Sequence, residues 1–368
     1  MFRKTHLKKI RNFFLGKLGE KVGRIIKFKT APVQFITEKA EWSIYMDGVS
    51  IAREINQKAK NNIVQISNYP YIFSDKIVHF GSQYMWTDWE NFVSKDNHYI
   101  TSFFHGKHED GEHISEHINK FIDSLPKLKK IVTASSLIEK RLLKWGVERK
   151  KLFRIPIGVD TKLFCPPTSE EKKEIRKQFG IPNEKVIIGS FQKDGVGWGD
   201  GEEPKFIKGP DLFIESVSYI SKHLPVTVFL TGPARGYVKR ELANRNIDYV
   251  HFYYNSIFEI ARSYKVLDLY LVTSREEGGP KGIVESMASG VPIVSTKVGM
   301  AEDFIIPDVN GEISNENSFE ISEKALSLLN SPDLSDIVKR AREDVKIADW
   351  KNVAQLHWEK IYKPLLRL

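Results

Sequence analysis

Glu277 and Glu285 stand with seven residues between them, and that interval opens with Gly278-Gly279-Pro280-Lys281-Gly282. Carboxylates suit the capture of hydroxyl groups, because each charge-assisted hydrogen bond is worth about 1.5–3 kcal/mol. Glycines around a proline suit a different partner. An apolar strand at 267–272 precedes them, and a helix is expected to start at Pro280 and stop at Gly290. Strand, glycine-rich loop and helix N-terminus together offer unpaired amides and a positive dipole end to a phosphate. Gly279, Pro280, Lys281 and Gly282 are therefore candidate phosphate neighbours, and the two glutamates candidate hydroxyl acceptors on either side. A ligand with both phosphate and hydroxyls fits this stretch.

Such a stretch needs a sheet to hold it. Short apolar runs at 33–37, 62–66, 76–80, 98–104 and 131–134 read as strands, with helices at 48–60 and 136–145. Pro166-Pro167-Thr168-Ser169 interrupts the series and a charged helix follows at 170–179, before Gly180. A second series of strands is expected at 186–189, 226–230, 249–252, 267–272 and 292–295, then a last amphipathic helix at 353–366. The segment 194–204, rich in Gly and Pro, reads as a long loop after the first strand of this half. Alternating strands and helices indicate parallel βαβ units, hence two Rossmann-like halves with a linker near 160–183. Ligands of such sheets bind at the carboxyl ends of the strands, here in the cleft expected between the halves.

Composition agrees with a folded two-domain chain. Its 368 residues are 41% hydrophobic and 28% charged, and no stretch of 18 residues lacks a charge, so no membrane-spanning helix is expected. The single cysteine, Cys165, excludes a disulfide framework and fits a reducing, cytoplasmic compartment. Residues 1–29 hold ten Lys or Arg against Glu20 and so account for the whole formal net charge of +9. The body is neutral, which argues against nucleic acid as a partner. Within the leader Phe2, Leu7, Ile10, Phe14, Leu18, Val22 and Ile25 recur at helical spacing, the pattern of a helix lying on an anionic membrane surface. Gly16, Gly19 and Gly23 weaken that helix, and a helix packed on the body is the other reading.

With these residues in view, the chain resembles the family-4 retaining glycosyltransferases of the GT-B fold, marked by two glutamates with seven residues between them. The likeness extends through Gly290-Val291-Pro292-Ile293-Val294, Gly299 with Glu302, Asn310-Gly311, Gly158-Val159-Asp160 with Phe164, and Lys208-Gly209-Pro210-Asp211. It is close over residues 155–312 and loose before them. The resemblance implies an α/β protein of two Rossmann-like domains facing each other across a cleft, with a C-terminal helix able to cross back. It implies domains at 31–165 for the acceptor and 166–350 for the nucleotide sugar, after a basic leader at 1–30 and before the helix 351–368. It further implies that Glu277 contacts the donor sugar, Glu285 the ribose, and Lys208 the leaving diphosphate. Retention would then follow from attack on the face that the diphosphate leaves, with that phosphate taking the acceptor proton. No Asp-x-Asp triplet is present to hold a metal, so no cofactor is expected beyond the nucleotide-diphosphate sugar itself.

One departure stands out: the family usually places an Arg where this chain has Ser190, and Gln192, Lys193, Lys205 and Arg235 are its candidate replacements. The resemblance also makes His105 the candidate for a histidine that touches the donor sugar, with His79 in reserve. Trp42 is a candidate stacking face for an acceptor sugar, against a buried core Trp, while His108, His113 and His117 read as surface residues without metal spacing. The expected partners are a nucleotide sugar, a glycan or lipid-linked acceptor and an anionic membrane surface, with the protein peripheral on its inner face. A nucleotide-sugar epimerase of the same fold and a non-catalytic binding protein at the membrane are the rival classes.

Overall fold

The computed structural model describes residues 11–19, 30–39 and 43–366. The chain divides into two compact units, Met1–Ile157 with Trp350–Leu368, and Gly158–Asp349.

Unit 1 opens with helix α1 (11–19), then β1 (Val33–Ile36), α2 (Ser43–Ala59), β2 (Val64–Ser67), β3 (Ile77–Phe80) and α3 (Gln83–Trp89). It continues with β4 (His98–Ser102), α4 (Glu112–Asp123), β5 (Leu128–Thr133), α5 (Ser136–Lys144) and β6 (Leu152–Arg154). All six strands pair in parallel, in the order β2-β1-β3-β4-β5-β6. Side chains alternate along each strand, so one face buries Val33, Phe35, Ile77 and Ile100 against Ile51 and Ile55 of α2. The opposite face buries Ile36, Val78, Phe80 and Ile131 against Trp86, Phe121, Ile138 and Leu142. A sheet covered on both faces explains why its strands read as unbroken apolar runs.

Unit 2 contains α6 (Ser169–Gln178), β7 (Val186–Phe191), α7 (Pro210–Ile220), β8 (Val226–Thr231), α8 (Gly236–Asn244), β9 (Asp248–Phe252) and α9 (Ile257–Tyr264). β10 (Leu269–Val272), α10 (Lys281–Ser289), β11 (Ile293–Thr296), α11 (Ala301–Phe304), β12 (Glu312–Ser314), α12 (Ser318–Leu329) and α13 (Leu334–Asp344) complete it. Its sheet is again parallel and six-stranded, in the order β12-β11-β10-β7-β8-β9. α6 shows how local chemistry sets an element. Thr168 caps it by accepting from Glu171 N at 3.1 Å, Glu170 and Glu171 meet the positive end, and Arg176 and Lys177 the negative end. The expected boundary at 165/166 lies inside this unit, because Val159 bridges Asp349 and Thr161 Oγ1 donates to Asp349 Oδ2 at 2.5 Å.

The chain then returns to unit 1 as α14 (Trp350–Leu356), which runs on through a π-helical turn (His357–Tyr362). Trp350, Val353, Ile361 and Tyr362 close the face covered by α2. The single helix expected at 353–366 is thus three consecutive helical forms, ending in a 3-10 turn at Lys363–Leu365. β6 and β12, each of three residues, carry too little apolar pattern to be seen in the sequence.

His79 is a core residue, not a ligand contact. It is fully buried in β3, with Nδ1 2.8 Å from Tyr362 Oη and Nε2 3.1 Å from Ser102 Oγ. Burial first, and His357 second, push its pKa well below the ordinary value, and burial pushes His357 down to about 4. His117 also departs from the surface expectation: it is buried and stacks on Tyr84 with centroids 4.0 Å apart, its pKa lowered to about 4, chiefly by burial. These rings are held neutral in the folded protein and take up protons on unfolding. Their contribution to stability is therefore complete above pH 6.5 and lost as pH falls toward 4, at up to about 1.4 kcal/mol per histidine per pH unit. Thermal melts from pH 7 to pH 4 are expected to show this decline, and His357→Gln to flatten it.

α1 meets unit 1 through its small-residue edge. Asn12, Gly16 and Gly19 are buried, and Asn12 Nδ2 donates to Asp88 O at 3.2 Å. A Cβ on Gly16 would collide with the Phe92 carbonyl, and one on Gly19 with that of Tyr71. These glycines permit a close approach of backbones that no other residue allows. Phe13, Phe14 and Leu18 are left exposed, at 46%, 65% and 56%. The rest of the basic leader (1–10 and 20–29) and Trp42 lie outside the described residues. Among the described residues no helix is long and apolar enough to cross a membrane.

Candidate active site

In unit 2 the chain leaves β7 toward β8 and β9 on one side, and later builds β10, β11 and β12 on the other. β7 and β10 are neighbours at this reversal, and the loops after them, 192–209 and 273–280, diverge from the same edge. A parallel sheet opens a ligand crevice at such a point.

The first loop ends in a single 3-10 turn, Phe206–Lys208, followed by Gly209 in the left-handed region at φ +63°. A Cβ there would collide with the Thr273 carbonyl, so the turn can lie against the end of β10 only with glycine. Thr273 Oγ1 donates to Gly209 O at 2.9 Å, and Arg275 N donates to Ile207 O at 2.9 Å. The Arg275 guanidinium grips both oxygens of Asp211, at 2.8 and 2.6 Å. Burial raises the Asp211 pKa, but Arg275 outweighs it and holds the carboxyl below its ordinary value. The two loops are thereby stapled together.

The staple brings Lys208 and Glu277, 69 residues apart in sequence, into a direct ion pair between Nζ and Oε1. Gln192 Nε2 donates to Lys208 O at 3.1 Å, and Ser274 Oγ lies 3.3 Å from both Gln192 Oε1 and Glu277 Oε1. Both charged side chains are partly accessible, at 22% for Lys208 and 17% for Glu277. Pro280 precedes α10 as its cap residue, with an extended ψ of 115°, instead of lying inside the first turn as expected. No side chain caps this end, so the amides of the first turn, beginning at Lys281 and Gly282, keep the orientation that attracts an anion.

Glu285 sits on α10, where Tyr264 Oη donates to its Oε2 at 3.0 Å. Burial, reinforced by Tyr270 and Glu285, raises the Tyr264 pKa well above its ordinary value, so the phenol remains a donor. Tyr270 lies under Gly282, where a Cβ would come within 2.6 Å of its ring, and its Oη accepts from Phe191 N at 3.1 Å. Gln192 as a positioner of the Lys208 turn, and Ser274, Tyr264 and Tyr270 altogether, carry no spacing signal and were invisible before the fold. Arg235 is excluded as a phosphate contact. It is 1% exposed and donates to Ser190 O at 2.7 Å, Gln192 O at 2.8 Å and Thr231 O at 2.9 Å, beside Asp194 at 3.0 Å. His105 belongs to unit 1, in the exposed loop after β4, its ring 6.0 Å from that of Tyr84. Among the described residues no three His, Cys, Asp or Glu side chains gather as a metal site.

Two parallel doubly wound sheets, with charged loops at the switch point of the second, define the GT-B class of glycosyltransferase folds. HepE of Anabaena, crystallised with UDP-glucose, is similar with a TM-score of 0.73 at 15% identity, over 89% of this chain and 98% of that one. Residues 204–344 match the family described as glycosyl transferases group 1. A lipopolysaccharide core biosynthesis mannosyltransferase of Rhizobium meliloti is 29% identical over 156 residues, 40% of this chain and 41% of that protein. A glycosyltransferase of Methanocaldococcus jannaschii is 26% identical over 239 residues, 61% of this chain and 65% of that protein. The chain thus spans 41% and 65% of these two relatives.

Proposed function

We propose that the protein is a retaining glycosyltransferase that moves a sugar from a nucleotide-diphosphate sugar to a glycan or lipid-linked acceptor, without a metal. The meeting of Lys208 and Glu277 beside the uncapped start of α10 carries this reading. In it Glu277 accepts hydroxyls of the donor sugar, Glu285 accepts those of the ribose, and Lys208 and the amides of 279–282 meet the diphosphate. Charge builds on that diphosphate as the sugar departs, and fixed donors aimed there cost no reorganisation. His105 is proposed to approach the donor sugar from unit 1. The UDP-glucose complex of HepE and the mannosyltransferase name of the Rhizobium relative support a hexose donor and an envelope acceptor.

The test is incubation with labelled UDP-, GDP-, ADP- and CMP-sugars and lipid-linked acceptors. Transfer to an acceptor supports the reading; release of an isomerised nucleotide sugar, or binding without turnover, replaces it by one of the rivals. A matching free nucleotide at 100 times its Kd is expected to stabilise the fold by about 2.7 kcal/mol.

The acceptor reading includes a peripheral position on the inner face of an anionic membrane. Support comes from α1, whose Phe13, Phe14 and Leu18 are exposed alongside Arg11 and Lys17. Co-sedimentation with phosphatidylserine vesicles is expected at low salt and to fall as salt rises. Retention of that binding after Phe13→Ser and Phe14→Ser together would remove the membrane from the proposal.

A further inference from the structure

The segment 194–204 is a hairpin that carries an aromatic side chain toward its tip. Val196 N donates to Glu203 O at 2.9 Å and Gly195 bridges Pro204, so its two stems pair. The stems spring from the candidate site. Gln192, just before the first, donates to Lys208 O at 3.1 Å, and Lys205 N, just after the second, donates to Asp194 O at 2.7 Å. The hairpin is also held in place, because Gly236 N and Tyr237 N donate to Asp200 O and Gly201 O at 2.6 and 2.9 Å. A Cβ on either Gly195 or Gly201 would run into the Ala234 carbonyl, so the hairpin is pressed onto the turn before α8. Beneath it lies the buried pair of Asp194 and Arg235.

Trp198 is 61% exposed on this anchored hairpin, with Val196 two residues before it at 45%. Lys193 Nζ lies 3.7 Å from the centroid of the Trp198 ring, a cation–π contact that ties the indole to the chain entering the first stem. A Cβ on either flanking glycine, Gly197 or Gly199, would meet nothing within 4 Å, so the space beside the indole is open. A large ring held in one orientation offers contact area at little cost in conformational entropy.

The charges around the ring select its partner. Residues 194–204 hold four acids and no Lys or Arg. Asp194 is spent on Arg235 and Glu202 on Arg240, while Asp200 and Glu203 are exposed. An anionic membrane surface repels such a tip. A pyranose suits it, because the C–H groups of its face meet the negative face of an indole while the hydroxyls of its rim donate to carboxylates.

We propose that the hairpin 194–204 is a fixed carbohydrate subsite, in which Trp198 stacks one sugar ring of a glycan acceptor and the carboxylates of Asp200 and Glu203 accept its hydroxyls. The acceptor is then an oligosaccharide chain and not a bare lipid alcohol. This rests on the glycosyltransferase reading and narrows its acceptor class.

The experiment is saturation-transfer NMR titration of the full chain with mannotriose, maltotriose and cellotriose, and calorimetric titration with UDP and GDP, using the wild type, Trp198→Ala and Trp198→Phe. Trp198→Ala is expected to weaken trisaccharide binding by at least about 10-fold, and Trp198→Phe, which keeps a ring, by about threefold. Nucleotide affinity and the melting temperature of the unliganded protein are expected to stay unchanged in both variants. No trisaccharide bound by the wild type, or equal binding by Trp198→Ala, overturns the subsite. Nucleotide affinity lost in Trp198→Ala overturns it in favour of base stacking, and capture by phosphatidylserine vesicles lost in that variant overturns it in favour of a membrane contact. Trisaccharide binding that depends on Trp198 while no nucleotide binds even the wild type would uphold the subsite and sink the nucleotide-sugar reading.

Discussion

Glu277→Gln is expected to lower sugar transfer by at least about 100-fold while leaving the melting temperature nearly unchanged. The amide keeps the shape but loses the charge that holds Lys208, and its hydrogen bonds to sugar hydroxyls drop from charge-assisted to neutral strength. Lys208→Met should cost a similar 100- to 1,000-fold, the range found when one preorganised donor to a developing anion is removed. Because the two side chains act as a unit, the double variant is expected to be little worse than either single one. Steady-state kinetics with the donor identified by binding supply the measurement. Full turnover in Glu277→Gln would end the assignment of this site.

Arg235→Met is the largest expected loss of stability, about 3–5 kcal/mol, read as a shift in the urea midpoint. The change strands the Asp194 carboxylate in the interior and takes the donor away from three carbonyls that close the ends of β7 and β8. Burial already raises the Asp194 pKa against the pull of Arg235, so without its partner the group would be driven to protonate. Adding Asp194→Asn should recover part of the loss, since a neutral side chain is cheaper to bury than an unpaired charge. If Arg235→Met melts like the wild type, the loop 194–204 has some other anchor.

Much of the scaffold was legible because buried parallel strands leave a strong trace. Val186–Phe191, Val226–Thr231 and Leu269–Val272 are apolar runs bounded by polar or glycine-containing turns, and each was readable to within a few residues. The string around Glu277 and Glu285 was legible for another reason: glycines and a proline at a strand end have few structural uses. The partnership of Lys208 with Glu277 was not, since it depends on β7 and β10 becoming neighbours across 69 residues. Arg235 and His79 misled because a polar side chain near a strand end looks the same in sequence whether it faces ligand or core. Only the sheet order and the burial separate the two cases. The glycines of α1 misled in the opposite direction, since what weakens an isolated helix here allows it to dock.

The return of α14 to unit 1 has a consequence for biosynthesis. Trp350, Val353, Ile361 and Tyr362 belong to the apolar face shared with Val33, Phe35 and Ile77, yet they are translated after the whole of unit 2. At ordinary elongation rates the ribosome spends about 10–40 s on unit 2, during which that face of the first sheet is covered by α2 alone and lacks the side chains of α14. The packing of the first sheet is therefore complete only after the second sheet has been translated.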